Sequence, residues 1–367
     1  MAGLRAISAQ DPRRIPDELK RKYDVRGPRY TSYPPANHFG PVDEDLLFER
    51  WRERNSLKDD PGLSLYVHLP FCRKRCLFCG CHTFVAKRSD QIAGYVGKVI
   101  DEMRLAAKIV DPARPVRQIA LGGGTPNALE AEQLDGLLSA MHDVWSVEDA
   151  AEKSVEINPR TATPEKLEVL LKHGFNRFSL GIQDFNPNVL KAVNRDQGLM
   201  EVEQVVAWLR ERGVELLNFD LIYGLPGQSL ESCVQTARHV IELRPTRIAL
   251  YSYAHVPWIH PHQRALERLG LPEAEKKAEL FLSMMDAFLE AGYLPIGMDH
   301  FALPEDSLAK ALERGTLRRN FMGYTTGRGL DLLAFGASGI SSIGTSYAQN
   351  HKGLDDYSAD VSAGRLP

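Results

Sequence analysis

The stretch that decides the fold is Leu63-Ser-Leu-Tyr-Val-His-Leu-Pro-Phe-Cys-Arg-Lys-Arg-Cys-Leu-Phe-Cys-Gly-Cys81. Its first part, residues 63–68, is a short apolar run that is typical of a buried β-strand. The second part is a loop that holds four of the five cysteines in the chain. A helical pattern follows at residues 91–110. This order predicts the first unit of a β/α repeat, with the cysteines at the carboxyl end of its strand.

The alternation of strands and helices continues down the chain. Five more apolar runs predict strands at residues 118–121, 154–157, 177–181, 217–222 and 247–251. Helical patterns separate them at residues 131–144, 164–173, 200–212 and 230–243. Six consecutive units predict an α/β fold whose strands are parallel and whose crossovers are right-handed. Composition and periodicity alone do not distinguish a doubly wound sheet from a partial barrel.

Polar or glycine-rich residues follow every predicted strand. In both architectures, the carboxyl ends of the strands meet at one edge, where ligands bind. Each segment alone also has a structural explanation, as a tight turn for the glycines or a helix cap for a carboxylate. Together they predict a binding edge that includes His68 with the cysteine loop, Gly122-Gly-Gly-Thr-Pro126, Glu156, Gln183-Asp184, Asp220 and Tyr253-Ala-His255.

The cysteine loop has the chemistry of an iron–sulfur site. Cys72, Cys76 and Cys79 have the spacing C-x3-C-x2-C, which allows one loop to give a thiolate to each of three irons in a cubane cluster. The fourth iron would stay open to another ligand. Zinc is the alternative, since thiolates also bind zinc and His82 could complete a set of ligands. The crowding of the cysteines into one run favours iron and sulfur, because zinc sites usually divide their ligands into separated pairs.

Composition places the chain among globular proteins. Its 367 residues are 43% hydrophobic and 25% charged, with a formal net charge of −3, and this balance gives no electrostatic footprint for nucleic acid. No segment is apolar enough to cross a bilayer, and the first residues lack the apolar core of a signal peptide. Clustered free cysteines suit a reducing compartment and argue against a disulfide framework. We therefore expect a cytoplasmic protein that binds neither nucleic acid nor membrane.

Other residues that carry reactive or charged groups are weaker candidates. Arg318 and Arg319 stand near aromatic residues and threonines, and such a pair either binds carboxylates or forms a basic surface turn. Cys233 lies in a helical pattern and is expected to pack in the core. The histidines within residues 255–262 lack the spacing of a helical metal pair, so no metal site is expected there.

Many segments of the chain together resemble one protein family. They are the cysteine loop, Gly122-Gly-Gly-Thr-Pro126, Pro28-Arg-Tyr-Thr-Ser-Tyr-Pro34, Tyr66-Val-His-Leu-Pro-Phe-Cys72, Cys79-Gly-Cys81, Gly181-Ile-Gln-Asp-Phe185, Asn218-Phe-Asp-Leu-Ile-Tyr-Gly-Leu-Pro226, Tyr253-Ala-His255, Gly297-Met-Asp-His-Phe-Ala302, Arg319-Asn-Phe-Met-Gly-Tyr-Thr-Thr326 and Tyr347-Ala-Gln-Asn350. From residue 23 to residue 350 the sequence resembles the oxygen-independent coproporphyrinogen III oxidases (dehydrogenases), a family of the radical S-adenosylmethionine (SAM) superfamily.

The resemblance implies a partial (β/α)6 barrel. Residues 1–50 would form an N-terminal arm and strap, and residues 51–300 would form the radical SAM core. Residues 301–367 would begin a C-terminal region that covers the substrate. Family members continue beyond the position of Pro367, so we expect this cover to be truncated, at a cost to substrate binding and turnover.

The resemblance also implies the cofactors and their ligands. Cys72, Cys76 and Cys79 would bind a [4Fe–4S] cluster, whereas Cys81 would not be a ligand. Two SAM molecules would bind. The first, on the open iron, would contact Tyr66, Gly123, Glu156 and Ile340. The second would contact Phe78, Gly124, Thr125, Gln183, Arg195, Asp220 and Ala254.

The reaction that the resemblance implies converts two propionate side chains of coproporphyrinogen III to vinyl groups. The product would be protoporphyrinogen IX, an intermediate of heme biosynthesis. An unidentified low-potential donor would supply the electron that splits SAM into a 5′-deoxyadenosyl radical. Because the tetrapyrrole substrate carries several carboxylates, Arg29, Arg318 and Arg319 are candidates to bind it. The chain is expected to be a monomer.

Three alternatives remain at this point. A heme-binding chaperone would bind heme without decarboxylation, but such relatives typically lack the Cys79-Gly-Cys81 extension and the tyrosine strap. A radical SAM methyltransferase acting on tetrapyrroles would give a product of higher mass. A zinc-structured scaffold would be colourless.

Overall fold

The computed structural model describes residues 16–23, 33–86, 88–327 and 329–367. The strands are β1 (Leu63–Leu69), β2 (Phe71–Cys72), β3 (Phe84–Val85), β4 (Val116–Gly123), β5 (Val147–Ile157), β6 (Arg177–Gln183), β7 (Leu216–Tyr223), β8 (Arg247–Ser252), β9 (Leu294–Gly297), β10 (His300–Ala302), β11 (Arg318–Asn320), β12 (Gly323–Thr325), β13 (Asp331–Phe335), β14 (Ile340–Ile343) and β15 (Ser346–Gln349). The helices are α1 (Asp17–Tyr23), α2 (Glu44–Glu53), α3 (Ser89–Ala106), α4 (Ala131–Val144), α5 (Pro164–Lys172), α6 (Pro187–Ala192), α7 (Leu199–Glu211), α8 (Leu230–Leu243), α9 (Arg264–Glu267), α10 (Ala274–Glu290), α11 (Ser307–Glu313) and α12 (Leu354–Ser362). Arg29 and most of the predicted strap lie outside the described residues.

Short sequence signals set the ends of several helices. The Thr163 hydroxyl accepts a hydrogen bond from the Lys166 amide at the start of α5, and Pro164 occupies its first turn. A capping box between Ser229 and Ser232 begins α8 in the same way. Gly174 follows α5 with a φ of +78°, a left-handed conformation that suits glycine at a helix end. The predicted helices therefore begin and end near the expected residues.

The centre of the fold is a parallel sheet. Its strand order is β15-β14-β13-β1-β4-β5-β6-β7-β8-β10-β9. The six strands predicted from the sequence lie side by side in chain order, and each pair is parallel. Antiparallel strands extend the sheet beyond β13 on one side and beyond β8 on the other. The predicted α/β fold with parallel strands is therefore confirmed.

The two faces of the sheet have different roles, as β1 shows. Leu65 and Val67 point to one face, where they join Val99 and Met103 of α3 in the hydrophobic core. Full burial of such a side chain contributes about 1.5–3 kcal/mol. Tyr66, between the two, points to the opposite face and lines a cavity of about 190 Å³. The helices thus cover the apolar face and leave the polar face to the cavity.

A seventh parallel strand, β13, was missed in the sequence analysis. It pairs with β1 on the side away from β4, with Leu63 opposite Asp331. All five of its residues are buried. Its first residue, Asp331, accepts hydrogen bonds from the side chains of Arg54 and Arg114 and from the Gly344 amide. The contact with Arg54 joins the segment before β1 to a residue that lies 277 positions later in the chain.

A buried glutamate, Glu102 of α3, fixes the turn that follows β13. Its carboxylate accepts hydrogen bonds from the Gly336 amide at 2.8 Å, from the Tyr357 hydroxyl at 2.6 Å and from the Asn350 side chain at 2.6 Å. On the same helix, the Tyr95 hydroxyl donates to the His68 carbonyl and accepts from the Ala337 amide. Burial raises the pKa of Glu102 from 4.5 to about 7, although the three donors act in the opposite direction.

This raised pKa predicts a specific pH dependence of stability. Folding favours the protonated form of Glu102, so its contribution is complete below pH 4.5 and is lost as the pH rises through about 7. Between pH 5 and pH 8, the unfolding free energy of the cluster-free wild type should fall relative to that of Glu102→Gln by on the order of 3 kcal/mol. Urea unfolding at the two pH values measures this difference. Parallel pH profiles for the two proteins would contradict it.

The described part of the N-terminal segment packs against the C-terminal strands. The ring of Phe39 lies 6.0 Å from the rings of Phe321 and Tyr347. A cavity of about 540 Å³ lies between residues 34–50 and β15. It is larger than the cavity beside Tyr66, but none of the residues predicted for the binding edge lines it. The chemistry of the loop thiols therefore belongs to another region of the molecule.

Candidate functional site

The cysteine loop leaves β1 at the carboxyl edge of the parallel strands. Its backbone is fixed against the segment that follows α6. The Leu77 amide donates to the Val193 carbonyl at 2.9 Å, and the Asn194 side chain donates to the Arg75 carbonyl at 2.8 Å. The loop therefore has a defined position over this edge, as predicted from its place after the first strand.

The thiols of the loop are partly accessible and chemically distinct. The Cys72 sulfur lies 3.7 Å from the Thr125 hydroxyl, and the Cys76 sulfur lies 3.6 Å from Nη1 of Arg195. Burial raises the pKa of Cys72 to about 11. In contrast, a hydrogen bond from the Cys81 thiol lowers the pKa of Cys79 to about 6. One loop thus holds a thiol that ionises easily, Cys79, and a thiol that resists ionisation, Cys72.

The donor set of the loop is three thiols, the ligand type that iron–sulfur clusters use. Cys72, Cys76 and Cys79 are close enough to influence one another electrostatically. Nevertheless, the described residues contain no group of three or more His, Cys, Asp or Glu side chains arranged to hold one metal ion. A zinc ion would draw its sulfur ligands to about 2.3 Å from one centre, whereas a cubane distributes its thiolates over separate irons. The spacing of the three thiols is therefore compatible with a cubane.

The glycine run after β4 packs tightly under this loop. The Gly124 amide donates to the Leu69 carbonyl at 2.9 Å, and a Cβ atom at Gly124 would lie 2.7 Å from the Phe71 carbonyl oxygen. Gly123 has a φ of +118°, a conformation that strongly favours glycine. Gly123 is thus required by its backbone conformation, and Gly124 by the close approach of the cysteine loop.

Two carboxylates, Glu156 and Asp220, stand beside the glycine run at the carboxyl edge of the sheet. Glu156 accepts a hydrogen bond from the Gly123 amide at 3.1 Å, and Asp220 accepts from Ser179 and Asn218 at 2.8 and 3.0 Å. Burial, reinforced by the charge of Asp220, raises the pKa of Glu156 to about 7. Burial also raises the pKa of Asp220. Two carboxylates that are costly to ionise alone are suited to a cationic ligand, which would favour their charged forms.

A chain of hydrogen bonds fixes the orientation of Tyr66. Nε2 of His68 lies 3.0 Å from the His82 carbonyl, which can only accept, so Nε2 carries the proton. Nδ1 of His68 therefore accepts from the Tyr66 hydroxyl at 3.0 Å. Burial lowers the pKa of His68 to about 4, which keeps the ring neutral. The result links β1 to the residues that follow the cysteines.

Gln183 and Arg195 are brought together at the end of β6. Gln183 has a φ of +70°, which is rare for a residue other than glycine, asparagine or aspartate. The Arg195 guanidinium donates to the Gly181 carbonyl and to the Gln197 side chain. A Cβ atom at Gly181 would lie 2.9 Å from the Gln183 amide nitrogen. The predicted candidates Gln183 and Arg195 therefore share one corner of the site with Cys76.

The cavity beside Tyr66 is lined by residues from seven strands of the sheet and by the β11–β12 hairpin. Glu156, Asp220, Tyr251 and His300 contribute polar groups to it. Of the predicted arginines in the hairpin, Arg318 is exposed. Its neighbour Arg319 is half-buried, and its guanidinium carbon lies 4.7 Å from the centre of the Tyr324 ring. Their partner candidate Arg29 lies outside the described residues.

The remaining candidates occupy three places around the edge. Thr125 contacts Cys72, as described above. Phe78 and Ala254 lie on facing segments, because their carbonyl oxygens accept from the same Gln263 side chain at 3.0 and 3.2 Å. Ile340 begins β14, two strands from Tyr66 in the sheet. The sequence analysis missed Gln263, since it lies in a loop with no recognisable motif.

Comparisons with known proteins agree with this geometry. The profile of the radical SAM superfamily matches residues 66–240. An oxygen-independent coproporphyrinogen III oxidase of Bradyrhizobium diazoefficiens is 43% identical over 343 residues, which are 94% of this chain and 76% of that protein. The protein of the same name from Synechocystis sp. is 44% identical over 337 residues, covering 92% of this chain and 72% of its own length.

This chain belongs to the oxygen-independent coproporphyrinogen III oxidase family. The solved structure of the Escherichia coli coproporphyrinogen III oxidase, described as a radical SAM enzyme, superposes with a TM-score of 0.87 and 38% identity. It covers 95% of this chain and 79% of the E. coli chain. Membership of this family confirms the resemblance seen in the sequence, and it implies a [4Fe–4S] cluster and SAM as cofactors. No helix in the described ranges is both long and apolar enough to span a membrane.

Proposed function

We propose that this chain catalyses the oxygen-independent oxidative decarboxylation of two propionate side chains of coproporphyrinogen III to vinyl groups in heme biosynthesis. The observation that carries the proposal is the grouping of the loop thiols, the glycine run and the carboxylates of Glu156 and Asp220 at one sheet edge. That grouping occurs in a chain that is 43% identical, over 94% of its length, to an enzyme named for this reaction.

Cys72, Cys76 and Cys79 would hold the cluster, and the fourth iron would receive SAM. When bound, this pair of cofactors supplies a carbon-centred radical that can remove hydrogen from an unactivated carbon. The residues described here fix the site around it. Arg195 places a permanent positive charge 3.6 Å from the Cys76 sulfur.

The carboxylates of Glu156 and Asp220 would bind the cationic cofactor. SAM carries a sulfonium and an ammonium group, and Glu156 lies beside the glycine run and Tyr66. We propose two SAM molecules. The first would contact Tyr66, Gly123, Glu156 and Ile340, and the second would contact Phe78, Gly124, Thr125, Gln183, Arg195, Asp220 and Ala254.

For the substrate carboxylates, the structure favours Arg319 over Arg318. Arg319 is half-buried in the hairpin that lines the cavity, and its charge acts on Tyr251 inside that cavity. Arg318 is exposed, and its guanidinium donates to the Leu317 carbonyl. A planar guanidinium at the cavity mouth can bind a propionate through two parallel hydrogen bonds.

An anaerobic assay tests the proposed function. The protein is reconstituted with iron and sulfide and then supplied with SAM, a chemical reductant and coproporphyrinogen III. The expected products are CO2, 5′-deoxyadenosine and a tetrapyrrole whose mass is lower by two CO2 and four hydrogen atoms. Stable heme binding without CO2 release would indicate a heme chaperone, and a product of higher mass would indicate a methyltransferase.

Replacement of Glu156 by glutamine should weaken SAM binding by ten- to a hundredfold, because a hydrogen bond to a charged group contributes about 1.5–3 kcal/mol. Glutamine keeps the size of the side chain and can still accept from the Gly123 amide. Only the negative charge is removed. Equilibrium dialysis of SAM against the cluster-loaded protein measures the change.

Glu148→Gln is the matched control for this substitution. Glu148 lies on the same strand, β5, but it pairs with Arg117 instead of contacting the glycine run. We expect its SAM affinity to equal that of the wild type. Equal affinities for both variants would show that Glu156 does not bind the cofactor.

The electron donor, oligomeric state and compartment complete the proposal. A low-potential electron carrier would deliver the reducing electron to the exposed side of the cysteine loop. We propose that the chain works as a monomer in the cytoplasm, where its five free cysteines would stay reduced.

A further inference from the structure

A buried glutamine joins the cysteine loop to the end of β8. Gln263 is the last residue of a 3-10 turn, Pro261–Gln263, and its side chain has no exposed surface. Its amide nitrogen donates to the carbonyls of Phe78 at 3.0 Å and Ala254 at 3.2 Å. Its amide oxygen accepts from the Val256 amide at 2.7 Å. Both N–H groups and the oxygen of the side-chain amide therefore form hydrogen bonds.

These contacts require a side chain with two donors and one acceptor at this length. A glutamate could accept from Val256 but could not donate to either carbonyl. A methionine would have the same length and neither function. In both cases the carbonyl groups of Phe78 and Ala254 lose the donor that the Gln263 side chain provides. The requirement for glutamine is thus specific.

The same turn supports the loop backbone at two more points. Nε2 of His262 lies 2.9 Å from the Cys79 carbonyl oxygen, which must accept the proton. His260 forms a hydrogen bond with the backbone of Gly80. On its other side, the loop is held by Val193 and Asn194. The turn and the segment after α6 therefore hold the loop from opposite sides.

We propose that Gln263 is a positioning residue that couples the cysteine loop to the carboxyl end of β8 and so sets the distance between Phe78 and Ala254. Both residues are among the proposed contacts of the second SAM molecule. The identity of the ligand between them, SAM, rests on the proposed function. The coupling itself rests on the three hydrogen bonds of Gln263.

The test compares Gln263→Glu and Gln263→Met with the wild type. Asn55→Asp is the matched control, because Asn55 also joins two backbone segments with its amide, donating to Ile109 and accepting from Asp111. That residue makes no contact with the cysteine loop in the described structure. The measurements are iron content, the dissociation constant for SAM, the electron paramagnetic resonance spectrum of the reduced protein with and without SAM, and hydrogen exchange of the amides of residues 77–80.

Loss of one net hydrogen bond predicts that both Gln263 variants bind SAM about tenfold more weakly. Their loop amides should exchange faster, and the spectral change on SAM addition should be smaller. Asn55→Asp should match the wild type in SAM affinity, spectrum and loop exchange. If the new charge in Gln263→Glu prevents folding, the SAM affinity and loop exchange of the neutral variant Gln263→Met test the proposal.

Unchanged SAM affinity and unchanged loop exchange in Gln263→Met would overturn the proposal. Failure of the proposed function gives a different result. In that case the wild type itself would neither bind SAM nor change its spectrum. Hydrogen exchange of the loop would still decide whether Gln263 positions it, since this measurement needs no cofactor.

Discussion

Replacement of Cys76 by serine is expected to abolish cluster binding and with it all turnover. Its thiol lies at the centre of the cysteine loop, 3.6 Å from the Arg195 guanidinium. A hydroxyl at that position is a weak ligand for iron, and the cluster has no spare cysteine in the C-x3-C-x2-C set. Without the cluster, no electron reaches SAM. Iron analysis, the visible absorption of the anaerobic protein and the release of CO2 measure the loss.

Two other cysteine variants serve as controls for this result. Cys233→Ala removes a thiol that is fully buried in α8, as expected for a packing residue, and should leave iron content and activity unchanged. Cys81→Ala should also keep the iron, although it removes the hydrogen bond that lowers the pKa of Cys79. Loss of iron from Cys81→Ala but not from Cys76→Ser would show that the ligand set is wrong.

Replacement of Asp331 by alanine should have the largest effect on stability among single changes outside the site. Asp331 is 2% exposed and accepts from Arg54, Arg114 and the Gly344 amide. Removing one partner of a buried ion pair costs about 3–5 kcal/mol. Arg114 keeps Asp60 as a second partner, so we expect about 3 kcal/mol. Urea unfolding of the cluster-free protein measures the difference.

Asp90→Ala is the control for this prediction. Asp90 also accepts two hydrogen bonds from one guanidinium, that of Arg88. However, the side chain of Asp90 is 60% exposed and that of Arg88 is 71% exposed. Exposed pairs contribute at most about 1 kcal/mol. Equal losses in the free energy of unfolding for the Asp90 and Asp331 variants would show that burial does not strengthen the Asp331 ion pairs.

The sequence predicted the parallel sheet because each predicted strand is followed by a helix of its own. Residues 177–181 and 217–222, for example, are separated by a helical pattern, so their order in the sheet follows from the right-handed crossover rule. The binding edge followed from the same logic. Cys76 lies 119 residues before Arg195 in the chain, yet the two side chains are in contact. Cys76 follows β1, and Gln183 and Arg195 lie at the end of β6 and in the connection after it, so all three reach the same edge of the sheet.

The sequence did not predict β13 because nothing local identifies it. Residues 331–335 form a run of only five residues, opened by an aspartate and closed by Gly336. The partner of this strand is β1, far earlier in the chain. Asp331 is buried only because Arg54 and Arg114 reach it. Gln263 was missed for a similar reason, since its role depends on two carbonyls from segments that are distant in sequence.

The pairing of β1 with β13 has a consequence for biosynthesis. As the chain leaves the ribosome, β1 can pair with β4 early, but its other edge keeps unpaired backbone groups until residue 331 emerges. The cysteine loop grows from that same strand, and the His68 carbonyl near its base is held by Tyr95, which also binds the Ala337 amide. Before that point, the cysteine loop of the nascent chain lacks the support that β13 and the Ala337 amide give to β1. Insertion of iron and sulfide has to wait until translation has passed this point.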